Sequence, residues 1–458
     1  MANTQTLAGR AFPPQWPGAL LLMLVVAVVY LPAICGGFIW DDDRMLTGNP
    51  AVKTVDGLYS IWFGNWAEDY VPLTLSSFWV EWHLWGDRPM GYHIVNVLLH
   101  AGNVVLLWRV LGKLEVPGSW LAALLFAVHP VCVESVAWIS ERKNVLSLFF
   151  YLLAVLWYLR RDDMTSKTGG EAGASLRHET RWYFLSLAAF FLALLAKSSV
   201  AVLPAVLLLV VWWRRDRVTK EDLDRCTPFF ILAVLLGLMA VAVQSRAVHG
   251  GVGVIHDSLV VRLLGGSWAL WFYLGKALAP TNLAMIYPRW QIDSGALISW
   301  VPAIFFGGLM LVFWRWRRGW GRPFFFSFTY FLLALAPALG LIDLAFFSNS
   351  RVADHLQYLA LSGMAALVGA FLQKKTPWDG RLAAWVLAAV LAAMTIHREI
   401  VICDGRKLWE DTLAKNPSSW KACMNLSVIL LEEGHTNEAS ALSMKANELL
   451  RPPRAAGN

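Results

Sequence analysis

The sequence predicts an all-α fold, a polytopic membrane helix bundle of about 11 spans with a short helical C-terminal tail. Of its 458 residues, 57% are hydrophobic and 16% are charged, whereas soluble domains average about 25% charged residues. Apolar runs long enough to cross a bilayer recur, and helices are the only open-chain structures that can span one. The clearest runs are residues 18–40, 227–244, 323–342 and 382–396.

The first apolar run is expected to remain in the mature protein as a helix. It is longer than the apolar region of a signal peptide, and no cleavage site of small residues follows it. The cysteines show no metal-ligand spacing, and their odd number leaves no complete set of disulfides. They are Cys35, Cys132, Cys226, Cys403 and Cys423.

Basic loops predict the orientation of the bundle, because Lys and Arg concentrate on the cytoplasmic side of membrane proteins. The basic loops are residues 109–113, 160–181, 214–225, 315–322 and 374–381, together with Arg10. This placement accounts for the net charge of +7 without nucleic-acid binding. Residues 264–278 are then re-entrant or interfacial, because a full crossing there would put the loop 315–322 outside. The loop 36–91 and the tail from residue 404 face outward.

The stretch FIWDDDRMLTGNP places three carboxylates directly after the first apolar run. At the end of a membrane helix, Asp41, Asp42 and Asp43 are suited to act as a general base or to bind a divalent cation. The alternative is that they sit solvated at the interface. Three acids in a row behind the aromatic Trp40 favour a functional role for at least one of them.

The segment GYHIVNVLLHAGN forms a polar stripe down one helix face. His93, Asn96, His100 and Asn103 follow one another at helical spacing. The pattern fits interhelical hydrogen bonds and a substrate groove equally well. Metal ligation by the two histidines is disfavoured, because they lie two helical turns apart.

Acids and bases also meet at a predicted outer turn within HPVCVESVAWISERKN. Glu134 and Glu141 share one helical face, and Arg142 and Lys143 follow. A phosphate site is one interpretation, and an interfacial charge pair is the other. Lys197 ends the run FFLALLAK at the same level, where a snorkelling lysine is the alternative to a phosphate ligand.

A fourth polar set lies in SRVADHLQYL, again at an outer helix start. Arg351, Asp354, His355 and Tyr358 share one face, and arginine suits bidentate contact with phosphate. Because polar side chains are costly in membrane helices, their convergence on the outer face indicates chemistry or recognition there. The ligand indicated is anionic and lipid-borne.

From residue 404 the sequence becomes polar and helical, and WKACMNLSVILLEEGHTNEASALSMKANELLRP resembles one tetratricopeptide unit. Its small and apolar positions are Leu426, Ser427, Leu430, Gly434, Ala439 and Ala446. One unit cannot bury its own face, so it should cap the membrane domain, pair with a partner, or be the remnant of an array. An ordinary helical hairpin is the alternative. The predicted domains are residues 1–403 and 404–458.

Several blocks of the sequence resemble the transmembrane and tetratricopeptide-repeat O-mannosyltransferases of the GT-C glycosyltransferase class. They are FIWDDDRMLTGNP, YVPLTLSSFWVEWHLWGDRPMGYHIVNVLLHAGN, LLFAVHPVCVESVAWISERKNVLS, LALLAKSSVAVLPAVLLLVVWW and LWEDTLAKNPSSWKACMNLSVILLEEG. The resemblance covers most of residues 20–450 and is weakest over 245–345. It implies a GT-C-like membrane domain that performs inverting transfer from a polyprenyl-phosphate sugar. The acceptor would be a protein, lipid or polysaccharide on the non-cytoplasmic side.

The resemblance also implies roles for individual residues. Asp41 and Asp42 would form the catalytic centre, with Asp42 favoured over Asp41 as the general base. Asp41 and Asp43 permit Mg²⁺ or Mn²⁺ binding. The cations expected to stabilise the lipid phosphate are Arg142, Lys143, Lys197 and Arg351. Further expected substrate contacts are Glu134, Glu141, His93, His100, Asp354 and Tyr358.

Two departures from the family pattern bear on function. Where relatives carry Asp-Arg-Tyr, this chain has Asp354, His355 and Leu356, which weakens phosphate contact there unless Arg351 compensates. A single tetratricopeptide unit is expected to favour a lipid or polysaccharide acceptor over a protein.

Two other classes of protein compete with a transferase. A transporter would carry its polar groups near mid-membrane, in repeated broken helices. A non-catalytic scaffold for an envelope complex would depend on residues 404–458 rather than on the aspartates. Because the polar groups cluster at outer helix ends, we favour a transferase. We expect it in a bacterial inner membrane, with the active site and tail facing the periplasm or exterior.

Overall fold

A computed structural model describes residues 16–64, 69–167, 174–249, 257–341, 347, 349–374 and 379–450. Regular structure within these ranges is entirely helical, so the all-α prediction is confirmed. The α-helices are α1 Trp16–Val29, α2 Leu31–Ile34, α3 Pro50–Lys53, α4 Gly57–Phe63, α5 Pro72–Trp85, α6 Pro89–Lys113, α7 Ser119–Ala127, α8 Val133–Ala137, α9 Arg142–Lys167, α10 Ala174–Ala196, α11 Leu203–Arg215, α12 Lys220–His249, α13 Leu259–Leu278, α14 Val301–Arg315, α15 Gly321–Leu335, α16 Tyr358–Lys374, α17 Asp379–Ile402, α18 Gly405–Lys415, α19 Trp420–Glu432 and α20 Thr436–Leu450. Arg10, parts of the loops 36–91 and 160–181, and the last residues of the tail lie outside the described residues.

Several helices are long and apolar enough to cross a membrane. They are Pro89–Lys113, Ile139–Asp162, Ser198–Arg215, Lys220–Ser245, Leu297–Arg315, Asp354–Lys374 and Leu382–Ile402. The described residues thus give 7 candidate spans, or up to 8 if a bent pair of helices is one span, and Trp16–Val29 and Thr180–Ala196 are shorter apolar helices. The chain is an integral membrane protein. The predicted figure of about 11 crossings stays a prediction.

The surface of α12 shows how these helices meet lipid. Ile231, Val234, Leu235 and Leu238 are all more than half exposed and follow one another at the spacing of a single helix face. A continuous exposed apolar stripe of this kind is unfavourable in water and suited to hydrocarbon. A smaller share of α12 than of α9 is buried inside the protein.

A bend of 54° separates α7 from the helical segment Pro130–Ala137. Pro130 lacks the N–H that would continue α7, and its ring clashes with the preceding turn. The His129 ring nitrogen Nδ1 accepts a hydrogen bond from the Val131 N–H instead (3.3 Å). The break turns the chain so that α8 and the start of α9 meet the acidic loop.

Arg351 joins the segment before α13 to the chain that follows it. Its guanidinium donates to Asp257, just before α13 (2.7 Å), and to the carbonyl of Trp290, twelve residues beyond its end (3.1 Å). In the part of the chain that the structure describes, α13 is not among the candidate spans. That residues 264–278 are re-entrant or interfacial stays a prediction.

The tail packs onto the membrane helices at the end of the bundle that carries Asp41–Asp43, here called the acidic end. Asp411 of α18 accepts a hydrogen bond from Arg398 of α17 (2.8 Å). Lys415 donates to the Leu283 carbonyl (2.7 Å). Of the three arrangements expected for the tail, the structure shows it capping the membrane helices.

The predicted helical hairpin of the tail is present as α19 and α20. Gly434 lies between them with a φ of +87°, a conformation that glycine adopts without a steric penalty. The small and apolar positions that the repeat pattern placed on the inner face of the hairpin are buried. They are Leu426, Ser427, Leu430, Ala439 and Ala446. Whether the hairpin is a tetratricopeptide unit stays a prediction.

Candidate functional site

The acidic loop is anchored by Asp42, which is fully buried. Its Oδ2 accepts a hydrogen bond from the Ile39 N–H (2.9 Å). Its Oδ1 accepts two from Ser140, from the N–H at 2.7 Å and from the hydroxyl at 2.6 Å. Because both oxygens of Asp42 are engaged inside the protein, this side chain ties the loop to the turn before α9. That burial and bonding count against Asp42 as the favoured base.

Asp41 and Asp43 occupy different surroundings from Asp42. Asp41 is half-buried, and its charge acts on Lys143 of α9. Asp43 is exposed and accepts a hydrogen bond from the Thr47 hydroxyl (3.0 Å). Among the three carboxylates, Asp41 is therefore the one that combines partial access with a neighbouring cation.

The predicted metal ligands do not converge. In the part of the chain that the structure describes, no group of three or more His, Cys, Asp or Glu side chains is placed to hold a metal ion. Asp42 directs its oxygens at Ser140 and Ile39, and Asp43 turns to Thr47. Mg²⁺ and Mn²⁺ need several oxygen ligands, and metal binding by Asp41 and Asp43 stays a prediction.

Trp40 holds the acidic loop in a strained backbone conformation, with a φ of +44°, which is costly for a bulky residue. Its ring stacks on Trp138 at 5.2 Å and meets the edge of Trp409 of α18 at 5.3 Å. Such aromatic contacts stabilise a pair by about 0.5–1.5 kcal/mol. The stack fixes the loop between the turn before α9 and the tail.

Burial raises the pKa of Asp42 to about 7, although the hydrogen bonds from Ile39 and Ser140 oppose the shift. A raised carboxyl pKa stabilises the fold fully below the ordinary value, and this contribution is lost as pH rises through the folded value. We expect the thermal midpoint of the wild type, relative to Asp42→Asn, to fall as pH rises from 5 to 8.5. Melting in detergent measures it, and a pH-independent difference would contradict the prediction.

A cluster of charges lies beside the loop at the start of α9. The buried Glu141 carboxylate lies 3.1 Å from Lys143 Nζ and 3.8 Å from Lys197 Nζ. Lys197 also donates to Asn144, and Lys143 lies 3.7 Å from Asp69. The side chains of Lys143 and Lys197 are 17% and 16% exposed. One carboxylate thus holds two cations side by side, which suits a site for an anion.

His355 and Glu134 lie next to this cluster of charges. The His355 ring nitrogen Nδ1 lies 2.9 Å from Glu134 Oε2, and its Nε2 lies 4.0 Å from Glu141. Arg398 approaches Glu134 at 3.6 Å and binds Asp411 of the tail. The predicted contacts Glu134, Glu141, Lys143 and Lys197 therefore belong to one connected polar network.

Arg142, a predicted phosphate ligand, points away from this network. It is fully buried and makes a bidentate pair with Glu81, at 2.6 Å and 3.1 Å. It also donates to the Tyr92 carbonyl (2.9 Å) and to Asn96, and lies over the Phe78 ring. Its donors are used inside the protein, which favours a structural role, and substrate binding by Arg142 stays a prediction.

His100 and Tyr358, predicted substrate contacts, lie between helices. The Tyr358 hydroxyl is 2.7 Å from His100 Nδ1 and accepts from Asn103 (3.2 Å). His100 Nε2 is 3.2 Å from the Ala127 carbonyl. Of the two interpretations of the polar stripe, interhelical bonding describes His100 and Asn103. His93, on the same face, is also buried.

Arg351 and Asp354 are likewise engaged inside the protein. Arg351 binds Asp257, before α13, and the Trp290 carbonyl, in the segment after it. Asp354 accepts from the Tyr287 hydroxyl, which lies 2.9 Å from both of its oxygens. These contacts brace the loop before α13 and the segment after it. The structure does not bring Arg351 to the cluster around Glu141, whereas Asp354 interacts with Glu134 and Arg398 of the polar network.

Three members of the network were missed by the sequence analysis. Asn144 follows directly after the charged pair that was singled out, and Asp69 lies in a loop without a motif. Arg398 had a detectable signal, because an arginine inside the apolar run of α17 is costly unless it is paired. Its partners Glu134 and Asp411 are distant in sequence.

Comparison with known proteins places the chain near one group. No family model matches the sequence. Human protein O-mannosyl-transferase TMTC4 is 30% identical over 218 residues, covering 42% of this chain and 28% of TMTC4. Mouse protein O-mannosyl-transferase TMTC1 is 34% identical over 186 residues, covering 38% of this chain and 19% of TMTC1. The chain is a relative of these transferases.

The predicted resemblance is thereby confirmed. The chain spans less than a third of the length of the curated relatives it matches. Among solved structures it is similar to ArnT from Cupriavidus metallidurans bound to undecaprenyl phosphate, with 14% identity and a TM-score of 0.40. That match covers 96% of this chain and 76% of ArnT, and likeness of this degree supports no conclusion about chemistry.

Proposed function

We propose that the protein is an integral-membrane glycosyltransferase with a GT-C-like arrangement, which transfers a sugar from a polyprenyl-phosphate donor to a hydroxyl acceptor. The observation that carries the proposal is the position of Asp41 beside Lys143, in the cluster that Glu141 and Lys197 complete. The relationship to O-mannosyl-transferases supports the reaction class. A carboxylate next to two cations supplies the base and the anion site that this reaction needs.

Asp41 is proposed as the general base. It takes the proton of the acceptor hydroxyl while the oxygen attacks the anomeric carbon of the donor, and the bond to the lipid phosphate breaks on the opposite face. This single displacement inverts the anomeric configuration. Asp42 acts through Ser140 as a positioning residue that fixes the loop.

Lys143 and Lys197 are proposed to stabilise the departing phosphate. The donor phosphate gains one negative charge when the glycosidic bond breaks, and fixed cations stabilise that charge as it develops. Glu141 holds both ammonium groups in place.

The acidic end is proposed to face the non-cytoplasmic side, the periplasm in a bacterium. Arg214 and Arg215 lie 3.9 Å and 3.8 Å from Asp162, near the end of α9 opposite to the turn that binds Asp42, which supports this orientation. A lipid-borne donor explains why the site lies at the ends of the membrane helices. The acceptor is an envelope glycan, lipid or protein, and the labelled product of a transfer assay identifies it.

Lys197→Ala should lower kcat/KM for the donor by about tenfold to a hundredfold, the range for losing a hydrogen bond to a charged group. Lys197→Arg retains the charge and should restore most of the activity. The assay is turnover of radiolabelled polyprenyl-phosphate sugar by protein reconstituted in vesicles with envelope acceptors.

Lys407→Ala is the matched control for this experiment. Lys407 carries the same charge but lies exposed on α18, paired with Asp404 at 3.0 Å. It should turn over donor like the wild type. Wild-type turnover by Lys197→Ala would remove Lys197 from the proposed phosphate site.

A further inference from the structure

The ends of α2 and α17 bring two cysteines together beside the acidic loop. A side-chain carbon placed on Gly36 would lie 3.1 Å from both Cβ and Sγ of Cys403. Cys35 is the adjacent residue and is exposed. Burial raises the pKa of Cys403, and so do the nearby charges of Glu399 and Cys35. Geometry and electrostatics thus both place the two thiols in one neighbourhood.

The remaining cysteines are separated from this pair. Cys132 donates to the Phe126 carbonyl in the core (3.5 Å), and Cys226 lies 3.8 Å from the Tyr158 hydroxyl. Cys423 is buried in α19. Cys35 and Cys403 are therefore the pair of cysteines that the fold brings together at its surface.

We propose that Cys35 and Cys403 form a disulfide on the non-cytoplasmic face, which ties the acidic loop to the base of the tail. The proposal rests on the outward orientation of the acidic end given above, because disulfides persist in oxidising compartments. It does not depend on sugar transfer. Nothing in the sequence pattern paired these residues, which lie in different apolar segments.

The chemistry is thiol–disulfide exchange with a disulfide-carrying thiol oxidase. The thiolate of the exposed Cys35 attacks one sulfur of the oxidase disulfide, and the other oxidase sulfur leaves as a thiolate. The Cys403 thiolate then attacks Cys35 Sγ and releases the second oxidase sulfur. Two electrons pass to the oxidase, and the two thiol protons end on its two sulfurs.

The local backbone leaves room for this bond. Bridged cysteines need Cα atoms within about 7 Å of each other, and Gly36, the residue next to Cys35, already lies against Cys403. Gly37 follows, and a side chain there would meet nothing within 4 Å. The bond would join the segment leading to Asp41 with the residue before Asp404, whose side chain caps α18.

The test is a count of free thiols in the full-length protein. Cells are quenched with N-ethylmaleimide, the protein is purified and unfolded in detergent, and blocked cysteines are counted by mass spectrometry with and without prior reduction. We expect three of the five cysteines to be blocked without reduction, and all five after it. Cys35→Ser and Cys403→Ser should each give four in both conditions.

Cys423→Ser is the matched control. It should give two blocked cysteines without reduction and four after reduction. Five blocked cysteines in unreduced wild type, both from cells and after treatment of purified protein with oxidised glutathione, would overturn the pairing. If the unreduced wild type had five blocked cysteines from cells but three after treatment with oxidised glutathione, the outward placement would be overturned. The disulfide would then not form in the cell. Because the count does not use turnover, failure of the transferase assignment leaves its result unchanged.

Discussion

Asp41→Asn should reduce sugar transfer by about a hundredfold to ten-thousandfold, the contribution typical of a positioned general base. The substitution keeps the size of the side chain and removes its ability to take a proton from the acceptor. Because Asp41 is only half-buried, the folded structure should tolerate the change. Donor turnover in reconstituted vesicles measures the effect, and the thermal midpoint in detergent verifies folding.

Asp43→Asn provides the matched control within the same three residues. Asp43 is exposed, and an asparagine oxygen can still accept the hydrogen bond from Thr47. This variant should keep wild-type turnover. If Asp41→Asn also retained full turnover on every donor tried, Asp41 would not be the base. A scaffold that assembles an envelope complex through its tail would then describe the protein better.

The surroundings of Asp42 distinguish it from Asp41, a distinction that could not be made from the sequence. Adjacent carboxylates look alike in a sequence, and the resemblance to the transferases implies a catalytic centre without saying which acid is accessible. The fold distinguishes the two acids by their access, because the turn before α9 presents the Ser140 N–H and hydroxyl to Asp42. That contact joins positions far apart in the chain, and no local pattern encodes it.

The fold class could be predicted from the sequence for a simple physical reason. A chain in hydrocarbon must satisfy its backbone hydrogen bonds within each segment, so apolar length alone predicts helices. Charge placement in short loops similarly indicates orientation. Both signals are local, and α12 and α17 show them clearly. Pro130 is a sequence signal for the bend after α7, but the bend was not predicted.

Partners of charged side chains could not be predicted in the same way. Glu141, Lys143 and Lys197 were singled out because charged side chains next to membrane helices are costly, and the structure joins them. Arg142 met the same criterion, but it pairs with Glu81 instead. The sequence places its partner Glu81 in another helix, α5, without a signal that the two will meet.

The tail is connected to the candidate site by two routes. Trp409 of α18 packs against Trp40 at the acidic loop, and Asp411 binds Arg398, which approaches Glu134. A segment that only recruited partners would not need contacts of both kinds. The tail therefore contributes to the shape of the acidic end.

Arg142→Met should destabilise the protein by about 3–5 kcal/mol, the cost of breaking a buried ion pair by removing one partner. The change leaves the Glu81 carboxylate, only 5% exposed, without its bidentate partner. It also removes the donors to the Tyr92 carbonyl and to Asn96. Denaturation in detergent, followed by helix signal and tryptophan fluorescence, measures the loss.

The double variant Arg142→Met with Glu81→Leu distinguishes an ion pair from a substrate contact. Replacing both charges by apolar groups removes the unpaired carboxylate, so the double variant should be more stable than Arg142→Met alone. Arg142→Lys should be unstable too, since lysine cannot make the two parallel bonds to Glu81. A fully stable Arg142→Met with a selectively raised donor KM would instead return Arg142 to the phosphate-binding role that its sequence position predicted.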